Sequence, residues 1–182
     1  MLARALTITV LDFEGTGAVA PHPDEPWQLG MVQIAGGRIV PESGFERLLR
    51  VGPRPFSRHA PGRHAALRDA IAQAPPLEAL WPALRPRLAG GPLAAHNVAT
   101  ERRFLRRAFP MHVLGPWIDT LKLARAAYPA LRSHRLEDVV AALDLTARVR
   151  ALRPDGEPHD ALYDAVSCAA VLEFLLALPG WE

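Results

Sequence analysis

The spacing of apolar residues changes once along the chain, near residue 65, and this change restricts the fold more than any other feature. Before it, apolar residues come in short extended runs bounded by glycine and proline. After it they recur at steps of three and four, the spacing of helices that bury one side, with brief extended runs between them. Leu6 to Phe13 reads as a first strand ending at two acids, Asp12 and Glu14, before Gly15 and Gly17 break the run. LGMVQIAGGRIV gives two short runs around Gly36-Gly37, a hairpin signature, and Phe45 to Val51 reads as a third antiparallel strand. Helical spacing begins at Ala65 in HAALRDAIAQA and continues in PLEALWPALRPRLAG. PLAAHN and GPWIDT are extended again, and a helix follows each; RLEDVVAALDL and Asp160 to Leu178 supply two more helices. This order predicts an α/β fold, a mixed β-sheet with three N-terminal antiparallel strands flanked by α-helices. With 182 residues, 49% of them hydrophobic, and no repeat or long linker, the chain is expected to form a single domain over 1–182.

Charge and cysteine content narrow the function classes. The net charge is only +2, and every basic residue except Lys122 is arginine, a bias that suits phosphate recognition but is also the signature of GC-rich coding. A single cysteine, Cys168, makes neither an internal disulfide nor a cysteine zinc site. No uninterrupted apolar stretch reaches the ~18 residues of a membrane span, so a soluble, cytoplasmic protein with no membrane partner is expected.

The acids at the end of the first strand need an explanation. Side chains two apart on a strand share a face, so Asp12 and Glu14 project together, and burying two like charges is costly without compensation. A divalent cation would supply it; a wet strand end would remove the need. In VATERRFLRRAF, which is expected to start after Asn97 as N-cap, Glu101 falls on the apolar stripe with Phe104 and Leu105. An acid there also complements the helix dipole. In the last helix Asp164 lines up with Cys168, Val171 and Leu175, and His159 stands just ahead. Five residues of continuous helix turn through about 500°, so His159 and Asp164 converge only if His159 lies in the loop or first turn. Alone, His159 reads more readily as an exposed loop histidine. Together, four carboxylates match the charge of two Mg²⁺-type ions, and oxygen ligands favour Mg²⁺ or Mn²⁺ over zinc. Such a pair can drive in-line displacement at phosphorus, with a neighbouring imidazole accepting the proton of the attacking water.

The motifs, taken in order, resemble those of the DnaQ-like 3′-to-5′ exonucleases of the DEDDh branch. DFEGTG matches the opening D-x-E-x-T-G motif, and AHNVATERRFL matches the second apart from Thr100 for phenylalanine and Glu101 for aspartate. IDTLKLAR and SHRLEDVVAALDL follow, and HDALYDA closes the set with His159 and Asp164. The resemblance runs from about Leu6 to Leu175. It implies a ribonuclease-H-like fold, two Mg²⁺ or Mn²⁺ ions, and release of nucleoside 5′-monophosphates from single-stranded 3′ ends; DNA is slightly favoured over RNA as the expected substrate. Carried over residue by residue, Asp12, Glu14, Glu101 and Asp164 would hold metal and His159 would be the general base. Thr16, Gly15 and Asn97 would meet the terminal nucleotide. A polymerase or repair assembly is the partner that the resemblance suggests. Glu101 lengthens the acid's arm by one methylene, and GRHAALRDA stands where the family often reads I-H-G-I-T, which makes His64 a doubtful counterpart.

Other readings fit less well. GTGAVA lacks the third glycine of a dinucleotide loop, and PHPDEP follows where its helix should begin. An HD-type phosphohydrolase is helical, unlike the first third here, and no G-x-S-x-G elbow occurs. Cys168 in an apolar helix reads as core. The remaining alternative is a catalytically weak DnaQ-like domain that binds nucleic acid or a partner, motivated by Glu101 and the altered GRHAAL segment.

Overall fold

The computed structural model describes residues 5–180; the ends of the expected 1–182 domain lie outside the described residues. Five strands form one sheet: β1 (Ile8–Gly15), β2 (Pro26–Ala35), β3 (Arg38–Leu48), β4 (Leu93–Ala95) and β5 (Trp117–Asp119). Their order is β3-β2-β1-β4-β5, with β1, β2 and β3 antiparallel and β4 and β5 parallel to β1. The helices are α1 (Arg68–Gln73), α2 (Trp81–Leu88), α3 (Ala99–Ala108), α4 (Thr120–Ala127), α5 (Leu136–Ala142), α6 (Thr146–Leu152) and α7 (Ala161–Leu176). The expected mixed sheet, with three antiparallel strands first and helices on its faces, is the observed architecture. Among the described residues, no helix is long and apolar enough to cross a membrane.

Several boundaries differ from the sequence reading. β1 runs through the acids to Gly15, because Glu14 still pairs with Gln28 before the register shifts. RIV and the Phe45 segment belong to one strand, β3, which pairs with β2 on both sides of an irregularity near Met31 and Gln33. Pro41 and Gly44 look like strand breakers in the sequence, but β3 is the sheet edge, where such residues are tolerated. Gly36 and Gly37, at φ 60° and 73°, make the two-residue hairpin turn. Helical structure in HAALRDAIAQA is confined to the six residues of α1, and α6 had no counterpart in the reading.

Alternation along β1 divides the core in two. Ile8 and Val10 pack with α5, α6 and α7, whereas Leu11 and Phe13 pack with α2 and α3. Apolar on nearly every side, α7 is buried along almost its whole length, as expected of a helix enclosed between a sheet and other helices. Its N-terminus lies directly against β2. A Cβ on Gly30 would stand 2.2 Å from the Ala161 carbonyl and from the Leu162 nitrogen, so only glycine permits this approach. Gly30 is also the register partner of Asp12. The close contact therefore brings the first turn of α7 beside the acidic end of β1. Gly30→Ala is expected to force the two backbones apart at a cost of about 3 kcal/mol, in the range of overpacked cores, measured by urea denaturation.

Candidate active site

Asp12 and Glu14 continue the face of Ile8 and Val10 and so project toward α7. Glu14 is buried and Asp12 half-buried. Glu101 comes from the first turn of α3, only 4% exposed, and its Oε2 is buried without a hydrogen-bond partner. Asp164 sits in the first turn of α7, and His159 in the loop just before it. One ligand-capable atom each from Glu14, His159 and Asp164 lies within 4.8 Å of the others. Asp12 feels the negative charges of Glu101, Asp164 and Glu14 together.

Burial, with mutual repulsion added, raises the pKa of each of these acids. Desolvation is the larger cause in each case, with neighbouring carboxylates adding to it. Asp12 is pushed well above the ordinary carboxylate value, Glu14 and Asp164 to about 7, and Glu101 to about 8. In Asp164 the hydrogen bond from the His159 N–H opposes the shift. Among the described residues no cationic side chain is bonded to any of the four carboxyl groups, and one buried oxygen has no partner, a donor set that fits hard divalent cations.

His159 and Asp164 meet because the chain leaves helical geometry between them. His159 has φ 67° and its backbone N–H donates to Asp164 Oδ2 at 3.0 Å, while Asp160 caps α7 by accepting from the Tyr163 N–H at 3.0 Å. Gly62 backs this loop closely, since a Cβ there would lie 2.6 Å from the His159 carbonyl oxygen. Thr16 is fully buried, and its hydroxyl accepts from the Glu25 N–H and lies 3.1 Å from the Gly17 carbonyl. Gly15 and Gly17 flank it in the same loop, and the Gly17 N–H donates to Asp24 Oδ1. Asn97 does not cap α3: the helix begins at Ala99 behind Val98, and Asn97 is exposed at φ 72°. Its N–H donates instead to Asp119 Oδ1. His64 is stacked on Phe56 at 4.5 Å with its Nε2 at the Ala60 carbonyl. His96, from the AHN stretch, is held between Thr120 Oγ1 and the His134 carbonyl, and burial lowers its pKa.

The sequence profile of an exonuclease family, RNase_T, matches residues 9–172. The chain belongs to the RNase_T exonuclease family. It is 35% identical over 144 residues to the PolC-type DNA polymerase III of Thermotoga maritima, covering 76% of this chain and 10% of that one. It is 29% identical over 155 residues to Exodeoxyribonuclease 10 of Escherichia coli, covering 85% of this chain and 63% of the relative. The chain thus spans about a tenth of the length of the PolC-type relatives it matches. Its fold is similar to that of the nuclease domain of 3′hExo, a DEDDh family member solved with rAMP, at a TM-score of 0.68 and 18% identity over 97% of this chain and 94% of the other. The fold is therefore that of the ribonuclease-H-like exonucleases.

Four residues that the sequence reading left out of the site hold this exonuclease domain's acids in place. Gln28, opposite Glu14 on β2, accepts from the Ala161 N–H at 3.4 Å and donates to Asp160 Oδ2 at 3.3 Å, tying the start of α7 to the sheet. Asp119 caps α4 through the Leu121 and Lys122 N–H groups and also holds the Asn97 N–H ahead of α3. Asp24 accepts from the Gly17 N–H at 2.8 Å and from Arg103 at 2.7 Å, joining the loop after Glu14 to the helix that carries Glu101. Asp160 is the cap already described. A sequence signal existed for Asp119 and Asp160, each an aspartate immediately before a helical pattern. Asp24 and Gln28 gave none, because their partners lie 79 and 132 residues away.

The raised carboxyl groups set a pH dependence. Without a divalent cation, the folded carboxyl groups retain protons that the unfolded chain has released between about pH 4 and the folded values of about 7 to 8. Their contribution is present at the acid end of this window and lost as pH rises through it. In EDTA, the melting temperature is expected to fall between about pH 5 and about pH 8, and Glu101→Gln to flatten that fall. Mg²⁺ or Mn²⁺ is expected to raise the melting temperature most at the alkaline end, as read by thermal unfolding.

Proposed function

We propose that this chain is a metal-dependent 3′-to-5′ exonuclease that removes nucleoside 5′-monophosphates from single-stranded nucleic acid. The observation that carries this reading is the convergence of Glu14, His159 and Asp164 within 4.8 Å, beside Asp12 and the unpartnered oxygen of Glu101. Asp12, Glu14, Glu101 and Asp164 would hold two ions, Mg²⁺ or Mn²⁺. Such ions supply Lewis-acid activation of water and neutralise charge developing at phosphorus. His159 is exposed, and its backbone is tied to Asp164, so a ring nitrogen can take the proton of an attacking water beside the acids. Gly15 and Thr16, directly after Glu14, and the exposed Asn97 ahead of α3 would contact the terminal nucleotide; the Thr16 N–H and hydroxyl and the Asn97 N–H are bonded within the protein. DNA is favoured over RNA as substrate, which the similarity to an exodeoxyribonuclease supports. A polymerase or repair assembly in the cytoplasm is the setting that the polymerase relatives suggest.

The geometry of Glu101 favours one other reading. Its longer side chain places a buried oxygen with no partner at the acid cluster, and if that oxygen misplaces a cation the domain would bind nucleic acid without cutting. The two readings separate when 5′-labelled single-stranded DNA and RNA are incubated in parallel with Mg²⁺ and with Mn²⁺. The exonuclease reading expects stepwise shortening from the 3′ end, DNA faster than RNA, and none with Asp12→Ala. Intact strands under both metals would sink it. His159→Gln is expected to lower kcat by about 10³ with little change in KM, within the span of general-base removal.

A further inference from the structure

The four arginines that follow Glu101 divide between two flanks of α3. At about 100° per residue, Arg103 and Arg107 share one flank and Arg102 and Arg106 the other. The first pair is neutralised: Arg103 bonds Asp24, and Arg107 bonds Glu25, which Arg54 also reaches at 3.2 Å. Arg102 and Arg106 are exposed and have no ion pair among the described residues. They stand four residues apart, about 6 Å along the axis. Beyond them opens a cleft of ≈ 410 Å³ toward β5, the sheet edge, lined by Leu105, His112, Leu114 and Trp117. The loop on its rim holds Met111 and Val113, 90% and 103% exposed, the large apolar side chains most exposed among the described residues.

Two unpaired guanidinium groups at one-turn spacing, beside aromatic rings and bare apolar side chains, match a polyanion that also carries apolar faces. Single-stranded nucleic acid has that chemistry, with phosphates for the arginines and bases for the rings. Continuity favours it over an acidic protein segment. A shallow trough on α3 is lined by Ala99, two residues before Glu101, and by all four arginines, of which Arg102 and Arg106 are the pair without a carboxylate partner among the described residues. A strand with its 3′ end among the acids has this helix leading away from them.

We propose that Arg102, Arg106 and the cleft at the β5 edge bind the upstream backbone of a single strand whose 3′ end lies in the acid cluster. The inference rests on the exonuclease reading for the position of the 3′ end, and its test is separate from strand shortening. Binding of a 5′-fluorescein oligo-dT dodecamer and of the dinucleotide is followed by anisotropy across a salt series, with Asp12→Ala protein so that neither probe is consumed. Adding Arg102→Gln and Arg106→Gln is expected to weaken dodecamer binding about tenfold and to reduce the slope of log affinity against log salt by about 1.4, for two single-strand phosphate contacts. The loss should be much smaller for the dinucleotide. The single control Arg38→Gln, an exposed arginine at the β2–β3 hairpin turn, away from the acid end of the sheet, is expected to leave the salt slope in place. Equal losses for both probes, or an unchanged salt slope in the double variant, would overturn the proposal even if strands are shortened normally. So would displacement of an alternating Glu-Leu peptide by the substitutions while dodecamer binding persists, because the cleft would then belong to an acidic protein segment. A chain that shortens no strand but shows the Arg102- and Arg106-dependent slope would retain this surface and lose the exonuclease reading instead.

Discussion

At Gly30 the backbone of β2 meets the backbone of α7 with no side chain between them, and the positions of the acids follow from that contact. Asp12 is the register partner of Gly30, so a helix end resting on this glycine is also beside Asp12. Gln28, two residues earlier on the same face, satisfies the Ala161 N–H and the Asp160 carboxylate, fixing the helix end against sliding along the sheet. Packing of the rest of α7 supplies the holding force, since most of its surface is buried against the sheet and the neighbouring helices. The polar end is thus held by an apolar body, and carboxylates that repel one another remain in place because their carriers cannot move apart.

The same arrangement explains why the acids are poised rather than simply charged. Desolvation raises all four carboxyl groups, and the neighbouring carboxylates raise them further. The surrounding polar groups are committed elsewhere: Arg103 and Arg107 serve the loop of Asp24 and Glu25, and His96 serves Thr120 and His134. A divalent cation would compensate the cluster compactly.

Much of this could be read from the sequence, and the limits have physical causes. The change of period near residue 65 gave the sheet-then-helix order, and D-x-E at the end of an apolar run marked the strand that carries the site. Glu101 and Asp164 stood out because each interrupts an apolar stripe, a local pattern that survives in three dimensions. The reading failed where tertiary context outranked local propensity. β3 continues through Pro41 and Gly44 because its outer edge is free, and Asn97, a favourable cap in isolation, takes a left-handed conformation with its N–H turned to Asp119. The supports of the site were invisible for a different reason: Asp24 and Gln28 are ordinary loop and strand residues until the chain brings Arg103 and Asp160 to them.

The acids come from widely separated parts of the chain, Asp12 and Glu14 from β1, Glu101 from α3, and His159 and Asp164 from the start of α7. A ribosome makes them in that order. A growing polypeptide that has emerged only as far as α6 holds three of the carboxylates but neither the histidine nor the helix that closes over β1. Until α7 docks, the cluster is incomplete. The cluster is therefore the product of docking one helix, and its assembly waits on α7 whatever the order in which the other elements fold.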